Sequence, residues 1–274
     1  MQTDIGCPYN ACSFCGMYRG IQYRRRPLPE VETLIDAETN TWPDARRVFL
    51  ADGDVMRRDF DELRLILRRL NDRLPNLARV NLYATGSAIE AKSDSQLSEL
   101  RAMKLHTLYL GLERGDEEIL RQMRKGETAV LMTRAARRAA RAGLRISVMV
   151  LLGLGGSKES SRHARLSALA LNAMQPALLS FLRVIPVPDT PLWKQVRNGA
   201  FDLISEHDCA AELRAIINGL ELERTVLRAN HTSNIVPLEG RLPRDKQRLL
   251  AELDCLLSSG RLHRDSPGAL PMFM

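Results

Sequence analysis

Five short apolar runs, the first four each followed by a turn and then by a stretch of helical period, constrain the fold more than any other feature of the chain. They are Val48-Phe49-Leu50-Ala51, Arg79 to Tyr83, His106 to Leu112, Ile146 to Leu152 and Ala177 to Val184. Runs of this length suit strands buried on both faces, as in a parallel sheet. Helices are expected ahead of the first, at about Glu30 to Thr41, and between them, at about Asp59 to Leu74, Ser93 to Met103, Glu127 to Ala142 and Glu159 to Met174. Ser93 is placed to cap its helix. The alternation predicts parallel β/α topology with right-handed crossovers. Such folds place ligands at the carboxyl ends of their strands. Four exits carry glycine here: Asp52-Gly53-Asp54, Thr85-Gly86-Ser87, Gly111-Leu112-Glu113-Arg114-Gly115-Asp116 and Gly153-Leu154-Gly155-Gly156.

The densest chemistry lies ahead of the first strand. Cys7-Pro-Tyr-Asn-Ala-Cys12-Ser-Phe-Cys15-Gly sets three of five cysteines in a C-x4-C-x2-C pattern. Pro8, Asn10 and Gly16 make this a loop. Thiolates so clustered bind zinc or an iron–sulfur cluster. A structural zinc site is closed by four protein ligands, and no Cys or His occurs between Cys15 and His106. A four-iron cluster on three cysteines keeps one iron open, which favours iron–sulfur and leaves zinc as the alternative. A secreted disulfide framework is not expected from so few cysteines. Net charge is +7, with 40 basic and 33 acidic residues, which permits nucleic-acid contact without requiring it. Two tryptophans and 5% aromatics argue against a stacking platform for single strands. No apolar run reaches the roughly 18 residues of a membrane span, and no signal peptide opens the chain. A cytoplasmic location is expected, and no membrane partner.

The cysteine loop resembles that of radical S-adenosylmethionine (SAM) enzymes. The likeness includes Phe14, since an aromatic residue just before the third cysteine is usual there; the commonest spacing, C-x3-C-x2-C, is one residue shorter. The resemblance implies a [4Fe-4S] cluster on Cys7, Cys12 and Cys15 whose open iron chelates the amino and carboxylate groups of SAM. It implies reductive cleavage of SAM to a 5′-deoxyadenosyl radical that takes hydrogen from a substrate, and a reducing donor of flavodoxin or ferredoxin type. Asp52-Gly53-Asp54 stands where those enzymes carry a Gly-Gly-Glu-like motif for the SAM amino group. Gly111-Leu-Glu113-Arg-Gly115 resembles the Gly-Leu-Glu-Ser-Gly strand end of families related to methylthiotransferases, the elongator acetyltransferase and coproporphyrinogen dehydrogenase. In that pattern the Glu bonds the ribose of SAM, and a basic residue twelve positions on pairs with its carboxylate; these fall on Glu113 and Lys125. The Gly153 turn would let the backbone approach the adenine. Pro186 to Trp193 resembles the exit from the sixth strand of those families, and Arg183 just before it is expected to point into the barrel. The implied fold is a partial (β/α)6 TIM-like barrel at residues 1–200, its first strand truncated, with a mainly helical extension at 201–274.

Within that extension, Asn230-His231-Thr-Ser-Asn234 and Gly240-Arg-Leu-Pro-Arg-Asp-Lys246 look like elements of a poorly characterised bacterial radical SAM family, which makes His231 a candidate to face substrate. Tyr23-Arg24-Arg25-Arg26-Pro27 is either a solvated charge run or a set of arginines facing an anionic substrate. The arginines between Arg134 and Arg145 read as a helix surface, with RNA or an acidic partner as the alternative. Cys209 and Cys255 are expected to be buried structural thiols, and the tail from Arg261 to be loose. The substrate, small molecule or RNA, is not legible. No second cluster motif supports methylthiolation, and no acetyltransferase or cobalamin-binding domain is appended. Two other readings stay open: a zinc-bound nucleic-acid-binding module, and a radical SAM scaffold that has lost catalysis.

Overall fold

The computed structural model describes residues 1–269. Its strands are β1 (Asp4–Ile5), β2 (Arg24–Arg25), β3 (Arg47–Leu50), β4 (Arg79–Tyr83), β5 (Leu105–Glu113), β6 (Arg145–Leu152), β7 (Leu178–Arg183), β8 (Thr225–Arg228) and β9 (Glu239–Leu242). Its helices are α1 (Leu28–Thr41), α2 (Phe60–Arg73), α3 (Gly86–Glu90), α4 (Asp94–Ala102), α5 (Glu117–Gln122), α6 (Ala129–Arg141), α7 (Ser160–Met174), α8 (Pro191–Arg197), α9 (Glu206–Gly219) and α10 (Lys246–Ser258). Strands β3 to β9 form one sheet in chain order. The β3/β4, β4/β5 and β7/β8 pairs are parallel, and β8/β9 is antiparallel with Thr225 opposite Leu242. The five strands expected from the apolar runs are all present. The C-terminal extension is mainly helical, as expected, and adds two short strands, β8 and β9.

The chain divides into two compact units. The first holds Met1–Asn10, Met17–Leu110 and Arg134–Ser147; the second holds Ala11–Gly16, Gly111–Thr133 and residues 148 onward.

In the first unit each helix buries one stripe: Val31 and Ile35 of α1, Leu63, Ile66, Leu67 and Leu70 of α2, Leu97 and Leu100 of α4. These are the i, i+3, i+4 positions of amphipathic helices. Ser93 caps α4 in a reciprocal capping box with Gln96. Along β3 and β4, Val48, Leu50, Val80 and Leu82 are buried. Phe49 and Tyr83 alternate with them on the other sheet face. With Tyr109 of β5 they form a half-buried trio of edge-on rings, centroids 5.0 to 6.1 Å apart. The residues ahead of the cysteines are tied down. Gln2 bridges Ala51 in parallel sense, and the Ala51 amide donates to the Met1 carbonyl at 2.8 Å. Buried Arg58 pairs with buried Asp4 at 2.6 Å and also donates to the carbonyls of Thr3 and Arg26.

In the second unit α7 packs on α9, and α9 on α10. Ile119, Met123, Leu154, Val184 and Leu192 form an apolar cluster, with Phe14, Leu151, Phe201 and Leu203 against it. Residues 261–269 are held rather than loose. The carbonyls of His263 and Ser266 accept from the amides at the start of α9, and those of Pro267 and Ala269 accept from Arg183. The rest of that tail lies outside the described residues.

Candidate functional site

Each unit carries part of the predicted constellation. In the first, Cys7 is half-buried against the Asp52-Gly53-Asp54 turn. A Cβ at Gly53 would stand 2.5 Å from Cys7 Cβ, 2.6 Å from its Cα and 2.8 Å from its Sγ, so only glycine lets the turn lie on this cysteine. The Gly53 amide donates to the Gly6 carbonyl at 3.0 Å, and the Gly6 amide donates to Asp52 Oδ2 at 2.9 Å. Asp52 reaches this brace with a positive φ of 79°. Asp54 accepts from the Thr85 hydroxyl at 2.7 Å and from the Thr85 amide at 3.2 Å, which joins two strand exits. Both carboxylates therefore brace the backbone around Cys7. Buried Lys92 donates to the Met56 carbonyl just beyond, at 2.9 Å. Burial lowers its pKa, against the pull of Asp54 and Asp59.

In the second unit, the loop from Cys12 to Cys15 is clamped at its middle. The Ser13 amide donates to the Met123 carbonyl at 2.8 Å, and the Ser13 carbonyl accepts from the Leu192 amide at 3.0 Å. Phe14 anchors the loop in the apolar cluster of the unit. Gly16 closes the loop under Val187, whose methyl groups leave no room for a Cβ.

Glu113 ends β5 with a φ of 61°, and the Arg114 amide reaches back to the Leu112 carbonyl at 2.7 Å, a tight three-residue turn. Non-glycine residues held so store about 1–3 kcal/mol of strain, and such residues gather at functional sites. Lys125 donates to Glu113 Oε1 at 2.9 Å, with the two side chains only 13% and 12% exposed. Burial pushes Lys125 down, but Glu113, Cys12 and Glu127 together hold it above its usual value. The pair that the resemblance implied is formed. Gly153 follows β6 with a φ of 78°, its amide donating to Glu212 Oε1 at 2.7 Å. A cavity of about 440 Å³ opens beside this turn, lined by Gly155, Ser157, Lys158, Phe201 and Asp202 among others.

Other candidates are placed differently. Arg183 is buried and its terminal nitrogens donate to the Pro267 and Ala269 carbonyls, at 2.6 and 3.1 Å. His231 is exposed, and its Nδ1 accepts from the Ser233 amide at 3.1 Å; the Ser233 hydroxyl accepts from the Arg183 amide. Arg24, Arg25 and Arg26 pair with Glu30, Asp59 and Glu62. On α6, Arg134 and Arg138 pair with Glu90 and Asp94. These ion pairs fit the surface reading of both charge runs. Cys209 is buried, and burial drives its thiol pKa up. Cys255 is exposed, against expectation, because it falls on the outer side of α10.

Sequence reading missed Glu212. It lies inside the buried stripe Cys209, Leu213, Ile216, Ile217 of α9. An acid at a stripe position of a predicted helix is the signal that could have found it.

The donor chemistry suits an iron–sulfur cluster: Cys7, Cys12 and Cys15 are half-buried cysteines outside any disulfide. Among the described residues, no three His, Cys, Asp or Glu side chains are gathered as a metal-holding group. No helix among them is long and apolar enough to cross a membrane. No curated protein matches the chain in sequence. Solved structures do resemble its fold. Methylornithine synthase is 19% identical at a TM-score of 0.56, over 93% of this chain and 80% of its own. Coproporphyrinogen III oxidase from Escherichia coli, itself a radical SAM enzyme, is 15% identical at a TM-score of 0.60, over 78% of this chain and 51% of its own. The FeFe-hydrogenase maturase from Carboxydothermus hydrogenoformans is 19% identical at a TM-score of 0.52, over 92% of this chain and 54% of its own. The chain thus spans about half the length of the last two. These likenesses show an α/β fold of the radical SAM type. The Radical SAM superfamily model matches residues 3–166, from the segment ahead of Cys7 through the Gly153 turn and into α7. The chain accordingly belongs to the radical SAM superfamily of enzymes.

Proposed function

We propose that Cys7, Cys12 and Cys15 hold a [4Fe-4S] cluster at which this enzyme cleaves SAM reductively, and that it takes hydrogen from a small-molecule or RNA substrate. When bound, the cluster and SAM supply one-electron cleavage of a sulfonium carbon–sulfur bond and a 5′-deoxyadenosyl radical. The chain's own residues do the binding and orienting. Glu113 is set to accept from the ribose hydroxyls, and Lys125 holds that carboxylate in place. The Gly153 turn offers bare backbone to the adenine. Asp52 and Asp54 brace the turn on Cys7. A reducing protein of flavodoxin or ferredoxin type would deliver the electron, and the cytoplasm suits this chemistry.

The observation that carries this reading is the contact of Gly53 with Cys7, which sets the first cysteine of the motif on the first strand exit. Anaerobic reconstitution with iron and sulfide, then dithionite and SAM, tests it by release of 5′-deoxyadenosine. Product from the wild type and none from Cys12→Ala is expected. Stoichiometric zinc with no iron or sulfide would sink the proposal. A well-formed cluster that never cleaves SAM would leave a scaffold without catalysis.

A further inference from the structure

Glu212, Ser160, His163, Ser167 and Gly115 form one connected polar network within the second unit. Glu212 is 2% exposed, and His163 and Ser167 are fully buried. One oxygen of Glu212 accepts from the Gly153 amide at 2.7 Å and the other from the Ser160 hydroxyl at 2.6 Å. His163 Nε2 lies 3.2 Å from Glu212 Oε1, an electrostatic contact without hydrogen-bond alignment. The far nitrogen, Nδ1, meets the Ser167 hydroxyl at 3.0 Å, and that oxygen accepts from the Gly115 amide at 3.0 Å. With the Ser167 hydroxyl as donor to Nδ1, the assigned tautomer carries its proton on Nε2, facing Glu212. A Cβ on Gly115 would run into the backbone of Leu166 and Ser167, so this strand exit rests directly on α7.

Arg114 adds charge to the same cluster. It is fully buried, and none of its guanidinium nitrogens has a hydrogen-bond partner. They lie under Gly155, 2.7 and 2.8 Å from where a Cβ would stand. Burial pulls its pKa down to about 10, against Glu212, Asp116 and Glu159, while Arg162 adds to the fall.

A carboxylate inside an apolar helix stripe is costly, and packing alone would place an aliphatic residue there. Glu212 instead spends both oxygens at the turn after β6. It reaches, through His163 and Ser167, the exit of β5 two residues past Glu113. It also lies beyond residue 166, where the superfamily match ends.

We infer that Glu212 is a positioning residue for the nucleoside half of SAM, holding the Gly153 and Glu113 exits in one fixed relation. The inference rests on the reading that these exits bind SAM. A loss of Glu212 then weakens contact with adenine and ribose and spares contact with the methionine half.

The test is calorimetric titration of the anaerobically reconstituted full chain with S-adenosylhomocysteine, 5′-deoxyadenosine and methionine separately. Hydrogen exchange at the amides of residues 153–159 is followed in parallel. Glu212→Ala is expected to weaken both nucleoside ligands about tenfold, the scale of one charge-assisted hydrogen bond. Methionine binding should not change, and exchange at the Gly153 turn should speed up. Glu212→Gln keeps an acceptor and should restore part of the affinity. Ser160→Ala, which removes one contact only, gives the same pattern more weakly if Glu212→Ala does not fold. Equal losses for methionine and nucleosides, or no loss in any variant, would overturn the inference. If the wild type binds none of the three, the SAM reading itself fails. Exchange at Gly153 in Glu212→Ala then still decides whether Glu212 holds the turn, an unchanged rate refuting it.

Discussion

Single residues carry the sharpest constraints. Gly53→Ala would place a methyl group on Cys7, a clash whose relief costs about 1–3 kcal/mol. The variant is expected to fold with a lowered melting temperature and to take up far less iron in reconstitution. Glu113 and Lys125 give a second expectation. Glu113→Gln strands a buried ammonium, costing about 3 kcal/mol in urea unfolding. Adding Lys125→Met should restore most of the stability without restoring SAM binding. This pair was legible through the resemblance of Gly111-Leu-Glu113-Arg-Gly115 to a known strand end, which carries a basic residue twelve positions on. The turn at Glu113 was not legible, since positive φ is signalled by glycine or asparagine and hardly ever by glutamate. Asp52 escaped the same way: its letter suggested a ligand, whereas its side chain caps the Gly6 amide.

At the level of elements, apolar period set what could be read. β3 to β7 and the long helices were visible because each buries a face of its own. β9 was not: Glu239-Gly-Arg-Leu has no β-branched or aromatic residue, and it is a strand only because β8 offers an edge. α3 reads as a turn in the sequence because its single helical stretch is started by the Thr85 cap rather than by an amphipathic stripe. Caps themselves were legible. Ser93→Ala should cost about 1 kcal/mol in a thermal melt, through loss of the box with Gln96, and leave iron content untouched. The arginine runs were ambiguous because letters do not show carboxylates that arrive from other elements. Glu90 and Asp94 meet α6, and Asp59 and Glu62 meet β2, leaving Arg134, Arg138 and Arg25 in ion pairs.

For the molecule as a whole, these surface ion pairs bear on acid stability. Hydrogen bonds from Arg24 hold Glu30 down to about 2, from its usual 4.5, and Arg69 and Arg214 lower Asp36 and Asp254 likewise. Carboxylates with depressed folded pKa values stabilise above their unfolded values and lose that contribution as pH falls. Stability is therefore expected to drop between about pH 4.5 and pH 2 in pH-dependent melts, and less steeply in high salt. Asp4 works the other way: burial raises its pKa above 3.8, so its contribution is greatest in acid and fades as pH rises through the raised value. The thiols divide on the same whole-molecule basis, with Cys209 buried, Cys255 exposed and the loop cysteines between. That division gives a labelling clock. With the loop cysteines engaged, a maleimide should react quickly at Cys255 alone; stripping the metal should open the loop thiols, and only denaturation should release Cys209. Aerobic handling would also join two chains through Cys255, so a Cys255→Ser chain is the cleaner starting material for counting.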